Sequence, residues 1–137
     1  MIDFQIKGRG FQPVNERWWP DTQKQWSTKL LQANRKFWPQ ERDPSTGRPW
    51  KALSPKYKEF KDRSKPGQPI LRYSGRMQGT AKIVPKGKGL EVLTTRYGKY
   101  QQFGTSRLVA RPWMGVPDVS LKQIVPISWK NILSRRR

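Results

Sequence analysis

The clearest pattern of apolar and polar positions lies between Pro20 and Pro39, the longest stretch without proline or glycine. Within it apolar residues recur at the spacing of one helix face, at Trp26, Leu30, Ala33 and Phe37. A proline disfavours the helical conformation of the residue before it, so the helix should end by residue 38. The pattern predicts one long amphipathic helix over residues 21–38, with Asp21 or Thr22 as its N-cap.

Alternating residues predict a small antiparallel sheet. Residues 4–6 alternate as a short strand, and a β-hairpin follows with strands over 82–84 and 90–95. Its predicted turn, 85–89, is rich in glycine and places Lys86 and Lys88 at an exposed tip. On the second strand Leu90 and Val92, with Thr94, share one face.

Shorter helices complete the predicted architecture. One covers residues 55–62, with the Ser54 hydroxyl as cap and Tyr57 and Phe60 on one side. A turn or short helix is expected around residues 74–75, and a helical turn over 97–103 should end at Gly104. Residues 107–116 should be extended, and a last helix should begin at Asp118 or at residue 120.

The predicted fold class is therefore α+β: a small antiparallel sheet with a β-hairpin, packed against one long N-terminal helix and shorter helices. We expect a single domain over residues 1–134. The last three residues, Arg135, Arg136 and Arg137, form a basic C-terminal tail.

Composition limits the available chemistry. The 137 residues include no His and no Cys, which removes disulfides, thiol nucleophiles, imidazole bases and the usual zinc sites. Nine carboxylates are scattered along the chain, and the two pairs close in sequence, 41 with 43 and 59 with 62, are interpreted as surface ion pairs. No enzyme activity, metal or cofactor is expected. The first ten residues lack the apolar stretch of a signal peptide, so we expect a cytosolic or particle-bound protein without membrane contact.

Charge indicates the kind of partner. Lys and Arg number 29 against 9 acidic residues, a net charge of +20, and between Asp62 and Asp118 the one acidic residue is Glu91. Such a chain repels copies of itself and favours an acidic partner, either nucleic acid or an acidic protein surface. Lys86, Lys88 and residues 135–137 are candidate contacts to DNA or to an acidic protein.

Four short segments resemble one known family. They are Trp50-Lys51-Ala52-Leu53-Ser54-Pro55, Leu71-Arg72-Tyr73-Ser74-Gly75-Arg76-Met77, Tyr100-Gln101-Gln102-Phe103-Gly104-Thr105 and Ala110-Arg111-Pro112-Trp113-Met114-Gly115. In this order they resemble the conserved boxes of the phage virion morphogenesis (tail-completion) family, of the Mu-like G protein type. They span about residues 50–116, and the chain departs from the family pattern at Ser74, Met77, Trp113 and Met114.

The resemblance implies a structural virion protein of a contractile-tailed bacteriophage. It would act as a tail-completion or tail-terminator component of the neck that joins the tail to the head connector. The implied form is a ring, expected to be hexameric, around the DNA channel, assembled in the host bacterial cytoplasm. Implied partners are further copies of the chain, connector or adaptor proteins, tail tube or sheath proteins, and lumenal DNA.

The third and fourth boxes supply the candidate contact residues. Gln102, Phe103, Gly104, Arg111, Pro112 and Trp113 would form either a subunit contact or an element that locks the core. Arg111 could make a forked bond to a carboxylate across an interface. The alternative function left open by the charge is a stand-alone basic nucleic-acid-binding protein.

Overall fold

The computed structural model describes residues 2–6, 19–87, 89–120 and 122. Its regular elements are, in chain order, β1 (Ile2–Ile6), α1 (Trp19–Phe37), α2 (Pro55–Ser64), α3 (Arg76–Thr80), β2 (Lys82–Lys86), β3 (Gly89–Thr94) and α4 (Arg96–Phe103). A further helical turn covers residues 118–120 and 122. The architecture is α+β, as the sequence predicts.

The sheet has three antiparallel strands in the order β1-β3-β2. Ile83 and Phe4 both lie opposite Val92, which is fully buried at the centre of the sheet. The hairpin turn is shorter than predicted, because the strands continue through Lys86 and Gly89. Pro85 belongs to β2 and not to the turn. It is tolerated there because β2 is an edge strand, where a missing N–H need not break the ladder.

Helix α1 packs mainly against β2. It begins earlier than predicted, because Pro20 lies in its first turn, where the N–H of a helix has no partner to lose. Leu30 and Ala33 of the predicted stripe are buried. At the turn of the hairpin, Gln23 Nε2 donates to the carbonyl oxygens of Gly87 (3.0 Å) and Gly89 (2.7 Å). This pair of bonds fixes the helix to the start of β3.

The core combines residues of α1, α3, β2 and β3 with residues of the connecting segments. Its buried members are Leu30, Trp38, Trp50, Met77, Ala81, Ile83, Val92, Trp113 and Met114. Three of the seven tryptophans of the chain belong to this cluster, and each adds a large buried area because aromatic side chains are large.

The ends of α2 and α4 follow local chemistry. Ser54 occupies the N-cap position of α2, but its hydroxyl makes no capping bond, contrary to the sequence prediction. The Ser54 carbonyl oxygen instead accepts the N–H of Lys58 (2.8 Å), and Pro55 begins the helix. Helix α4 ends where predicted. Gly104, with φ of +72°, donates its N–H to the carbonyl oxygen of Tyr100 (2.8 Å).

Candidate functional site

The segment of residues 110–117 has no regular secondary structure, yet it passes through the core. Trp113 is fully buried, and its ring lies 5.6 Å from that of Trp38 at an angle of 52°. The indole N–H of Trp113 donates to the carbonyl oxygen of Gly98 (2.9 Å), and that of Trp38 donates to the carbonyl oxygen of Trp113 (2.7 Å). Both buried indole donors are thereby satisfied.

Two side-chain amides replace the strand partner that this segment lacks. Gln102 Oε1 accepts the N–H groups of Trp113 and Met114, both at 3.0 Å, and its Nε2 donates to the carbonyl oxygen of Met114 (2.8 Å). Asn34 Oδ1 accepts the N–H of Gly115 (2.8 Å), and its Nδ2 donates to the carbonyl oxygen of the same residue (2.9 Å). Buried backbone groups need such partners, so these amides hold the extended segment in one conformation.

Arg111 makes the forked bond that the sequence suggested, but with different acceptors. Its Nε donates to the carbonyl oxygen of Lys51 (2.7 Å) and its Nη2 to that of Ala52 (2.8 Å). The acceptors are backbone oxygens of the same chain, and a bond to a carboxylate of another subunit stays a prediction. Beside it, the indole N–H of Trp50 donates to the carbonyl oxygen of Pro112 (2.6 Å).

The six predicted contact residues divide into internal and exposed positions. Gln102, Arg111 and Trp113 make their bonds inside the chain, which is the core-locking alternative, and Pro112 is half-buried. Position 104 requires a glycine, because its φ is positive and because a Cβ there would lie 2.8 Å from the Leu108 carbonyl oxygen. Phe103 is 60 % exposed. A contact with another subunit stays a prediction, and Phe103 is the member of the set that presents a large apolar surface for it.

A concave surface lies beside the Arg111 fork, and we call it the tyrosine groove. Its volume is about 820 Å³, and its walls come from α2, residues 71–77, α4 and residues 107–109. Three partly exposed tyrosines line it, Tyr57, Tyr73 and Tyr97. Half-buried leucines, among them Leu71 and Leu108, supply an apolar lining.

The tyrosine groove is strongly basic. Arg72, Arg76, Arg107 and Arg111 line it, and among the described residues of its lining there is no Asp or Glu. Burial lowers the pKa of Arg111 from its ordinary value, and nearby Tyr57 opposes this effect. An arginine nevertheless stays charged in proteins, so the lining carries four guanidinium charges, of which those of Arg72, Arg76 and Arg107 are exposed and that of Arg111 is buried.

Aromatic rings continue from the groove onto the outer side of α2. The rings of Tyr57 and Phe60 lie 6.2 Å apart, and those of Phe60 and Tyr73 lie 6.3 Å apart and nearly parallel, at 5°. Phe60 is 56 % exposed. Single exposed apolar residues are ordinary, whereas a contiguous row of them indicates an interaction surface.

Lys61 also lines the groove, but its role in the described structure is internal. It is buried, and its Nζ donates to the carbonyl oxygen of Pro69. Burial lowers the pKa of Lys61, and the negative charges of Glu41 and Asp62 act in the opposite direction. Glu41 itself accepts the N–H of Ile70 (2.7 Å). Together these bonds fix the chain that leads into residues 71–77.

The close carboxylate pairs only partly follow the surface-ion-pair interpretation. Glu59 pairs with Arg63 one helix turn away. Asp43 instead accepts the backbone N–H of Ser45 (2.8 Å) and the hydroxyl of Thr46 (3.0 Å) in its own turn. In the parts of the chain that the structure describes, no group of three or more acidic residues is placed to hold a metal ion, and no helix is long and apolar enough to span a membrane.

The candidate basic contacts are mostly outside the described residues. Lys88 and the tail residues Arg135, Arg136 and Arg137 lie there. Lys86 is the last residue of β2, and its ammonium pairs with the carboxylate of Glu91. It is half exposed but carries a counter-ion, so it is not the free cation of a hairpin tip that the sequence suggested.

Sequence reasoning missed the tyrosine groove, although one signal pointed to it. Arg72, Arg76 and Arg107 come from the stretch between Asp62 and Asp118 that contains a single acidic residue. Folding brings these arginines together and leaves that one acid, Glu91, paired elsewhere. The acid-poor stretch of sequence thus contributes to a groove whose described lining contains no carboxylate.

No protein-family model, no curated protein and no solved structure matches this chain.

Proposed function

We propose that the protein is a structural component of a phage neck, which completes the tail and joins it to the head connector as a ring around the DNA channel. It acts by docking and ring closure, without catalysis or a cofactor. Its place is the virion, after assembly in the host cytoplasm. Connector or adaptor proteins, tail tube or sheath proteins and lumenal DNA are its proposed partners.

The observation that carries the proposal is that the four family-like boxes meet in space. Trp50 and Pro112 join the first box to the fourth, and Gln102 joins the third to the fourth. The second box, residues 71–77, lines the tyrosine groove together with residues of the other three. Segments separated by up to about sixty residues therefore build one structural unit, which supports reading them together and not as chance matches.

The exposed surfaces suit a protein that docks. Phe103, at the end of α4, and Phe60, in the aromatic row on α2, are each more than half exposed, which supports contacts with neighbours at two places. In a head-to-tail ring each subunit offers one surface and receives another. The nucleic-acid alternative is favoured by the basic lining of the tyrosine groove beside exposed tyrosines, because single strands bind on such surfaces.

Light scattering on the purified protein, at low and high salt and with or without duplex DNA, tests the proposal. We expect a closed oligomer of one defined mass that persists at high salt. Phe103→Asp should reduce it to smaller species, whereas Tyr100→Ala, a similarly exposed position on the same helix, should leave the mass unchanged. A monomer that coats duplex DNA with a steep salt dependence would overturn the proposal in favour of the nucleic-acid-binding alternative.

A further inference from the structure

We infer that the tyrosine groove is a docking site for an acidic polypeptide segment that carries apolar side chains, supplied by a partner protein. The inference rests on the groove alone and does not require that the protein forms a ring. Three features of the surface carry it: its unpaired positive charge, its apolar lining and the arrangement of its aromatic rings.

The positive charge has no counter-charge within the described residues. The side chains of Arg72, Arg76 and Arg107 make no hydrogen bond or ion pair there, and all three are exposed. Arg111 donates through Nε and Nη2 to backbone oxygens, which leaves Nη1 without an acceptor in the same part of the chain. Four guanidinium groups around one groove repel one another, and carboxylates from a partner would relieve that repulsion.

The apolar lining distinguishes this groove from a surface that only attracts charge. Leu53, Leu71 and Leu108 are half-buried in it, and Val109 is 44 % exposed. These groups gain from contact with apolar side chains, because such contact removes apolar surface from water. A phosphate backbone offers nothing for them, whereas a peptide with alternating acidic and apolar residues satisfies both parts of the surface.

The aromatic row continues the apolar part of the surface. The rings of Phe60 and Tyr73 are nearly parallel, at 5°, with centroids 6.3 Å apart, and the ring of Tyr57 lies 6.2 Å from that of Phe60. Aliphatic or aromatic side chains of a peptide can pack on such a row of rings.

The size of the groove agrees with a peptide segment. Its volume of about 820 Å³ lies in the upper part of the range of about 300–1,000 Å³ that ligand pockets occupy. Its lining comes from α2, α4, residues 71–77 and residues 107–109, so a bound segment would contact several parts of the chain.

Fluorescence polarisation with short labelled probes tests the inference. The main probe is a synthetic peptide in which Glu or Asp alternates with Leu or Phe. Two reference probes are the same peptide with Ser in place of Leu and Phe, and an oligothymidylate of equal charge. We expect the first to bind at least about tenfold more tightly than either reference probe, and to weaken as salt rises.

Two pairs of variants locate the binding. Tyr97→Ala and Arg107→Glu change residues that line the groove, and each should weaken binding of the main peptide about tenfold. Tyr100→Ala and Arg48→Glu make the same changes at exposed positions outside it, and each should stay within about twofold of wild type.

Several results would overturn the inference. They are equal binding of the acidic peptide without apolar residues, equal weakening by the groove and control variants, tighter binding of the oligothymidylate, or no binding of the main peptide at all. Failure of the ring proposal would be detected by a different measurement, the oligomer mass of wild type and of Phe103→Asp. Phe103 does not line the groove, so the two proposals can fail independently.

Discussion

The substitution Asn34→Asp tests whether one buried amide holds the segment of residues 110–117 in place. Asn34 is fully buried, and its Nδ2 donates to the carbonyl oxygens of Leu30 (2.8 Å) and Gly115 (2.9 Å). Aspartate has the same shape and keeps the oxygen that accepts the N–H of Gly115. It replaces the two donor hydrogens with an oxygen that faces two carbonyl oxygens. This oxygen can donate to one of them only when it carries a proton.

The expected loss of stability therefore depends on pH. A protonated carboxyl retains one of the two donated bonds, which limits the loss to about 1–2 kcal/mol. Burial beside two carbonyl oxygens should raise the pKa of the new carboxyl by about 3 pH units, and each unit corresponds to about 1.4 kcal/mol. The total loss near neutral pH is then about 5 kcal/mol, comparable with the whole stability of many small domains.

The sign follows from the direction of the pKa change. The folded-state pKa of the introduced carboxyl lies above its unfolded-state value of about 3.9. Below the unfolded-state pKa the carboxyl is protonated in both states, and the loss of stability is smallest. The loss grows as the pH rises and is complete once the pH has passed the folded-state pKa. Relative to wild type, the variant should be least impaired in acid and most impaired near neutral pH.

Urea unfolding followed by tryptophan fluorescence, at several pH values between about 4 and 8, measures this difference. Gln40→Glu is the matched control, because the Gln40 amide also donates to a carbonyl oxygen four residues earlier (2.8 Å), but in an exposed position. We expect the control to differ from wild type by no more than about 0.5 kcal/mol at any pH. If Asn34→Asp shows no pH-dependent loss beyond that of the control, the role assigned to Asn34 is wrong.

Two further predictions concern packing and titration. Gly98→Ala should lower the free energy of unfolding by about 1–3 kcal/mol, because the new Cβ would lie 2.6 Å from Thr94 Cγ2 and 3.1 Å from Trp113 Cζ2. Gly79→Ala should raise it by about 0.4–1 kcal/mol, because a Cβ there meets nothing within 4 Å. Equal effects of the two substitutions in urea unfolding would contradict the packing argument. Burial lowers the pKa of Lys61 below its ordinary value of 10.5. Between the folded-state pKa and 10.5, the folded state therefore binds fewer protons than the unfolded state. Wild type should therefore gain stability relative to Lys61→Met as the pH rises through that window, and a difference that does not change with pH would count against it.

The elements that the sequence predicted correctly are those defined by local chemistry. The stripe through Leu30 and Ala33 predicted α1 because residues on one helix face are buried together. The end of α4 at Gly104 was predictable because a positive φ there requires glycine. The boundaries missed were those where proline is tolerated for positional reasons, in the first turn of α1 and on the edge strand β2.

The candidate site was less predictable, because its decisive bonds join distant residues. Asn34 looks like an ordinary polar position on an amphipathic helix, and its partner Gly115 lies 81 residues away. Gln102 was a candidate only through the resemblance of the third box, and its bond to Met114 could not be foreseen. For Arg111 the sequence predicted a bond to a carboxylate of another subunit, because arginine prefers charged acceptors, and that bond stays a prediction. Its internal bonds to carbonyl oxygens could not be foreseen; they form because residues 51 and 52 belong to no helix or strand that would supply donors to these oxygens. Spacing in the sequence contains no information about such pairings.

The bonds between Asn34 and Gly115 have a consequence for how the protein is made. Translation at about 5–20 residues per second needs roughly 4–16 s to cover the 81 residues between them. During that interval α1 has been synthesised but lacks the segment that fixes it, and its apolar stripe has no complete core to enter. A nascent chain in that state is prone to aggregate. Its excess of positive charge keeps neighbouring nascent chains apart, so the charge that suits an acidic partner also protects the protein before that partner is met.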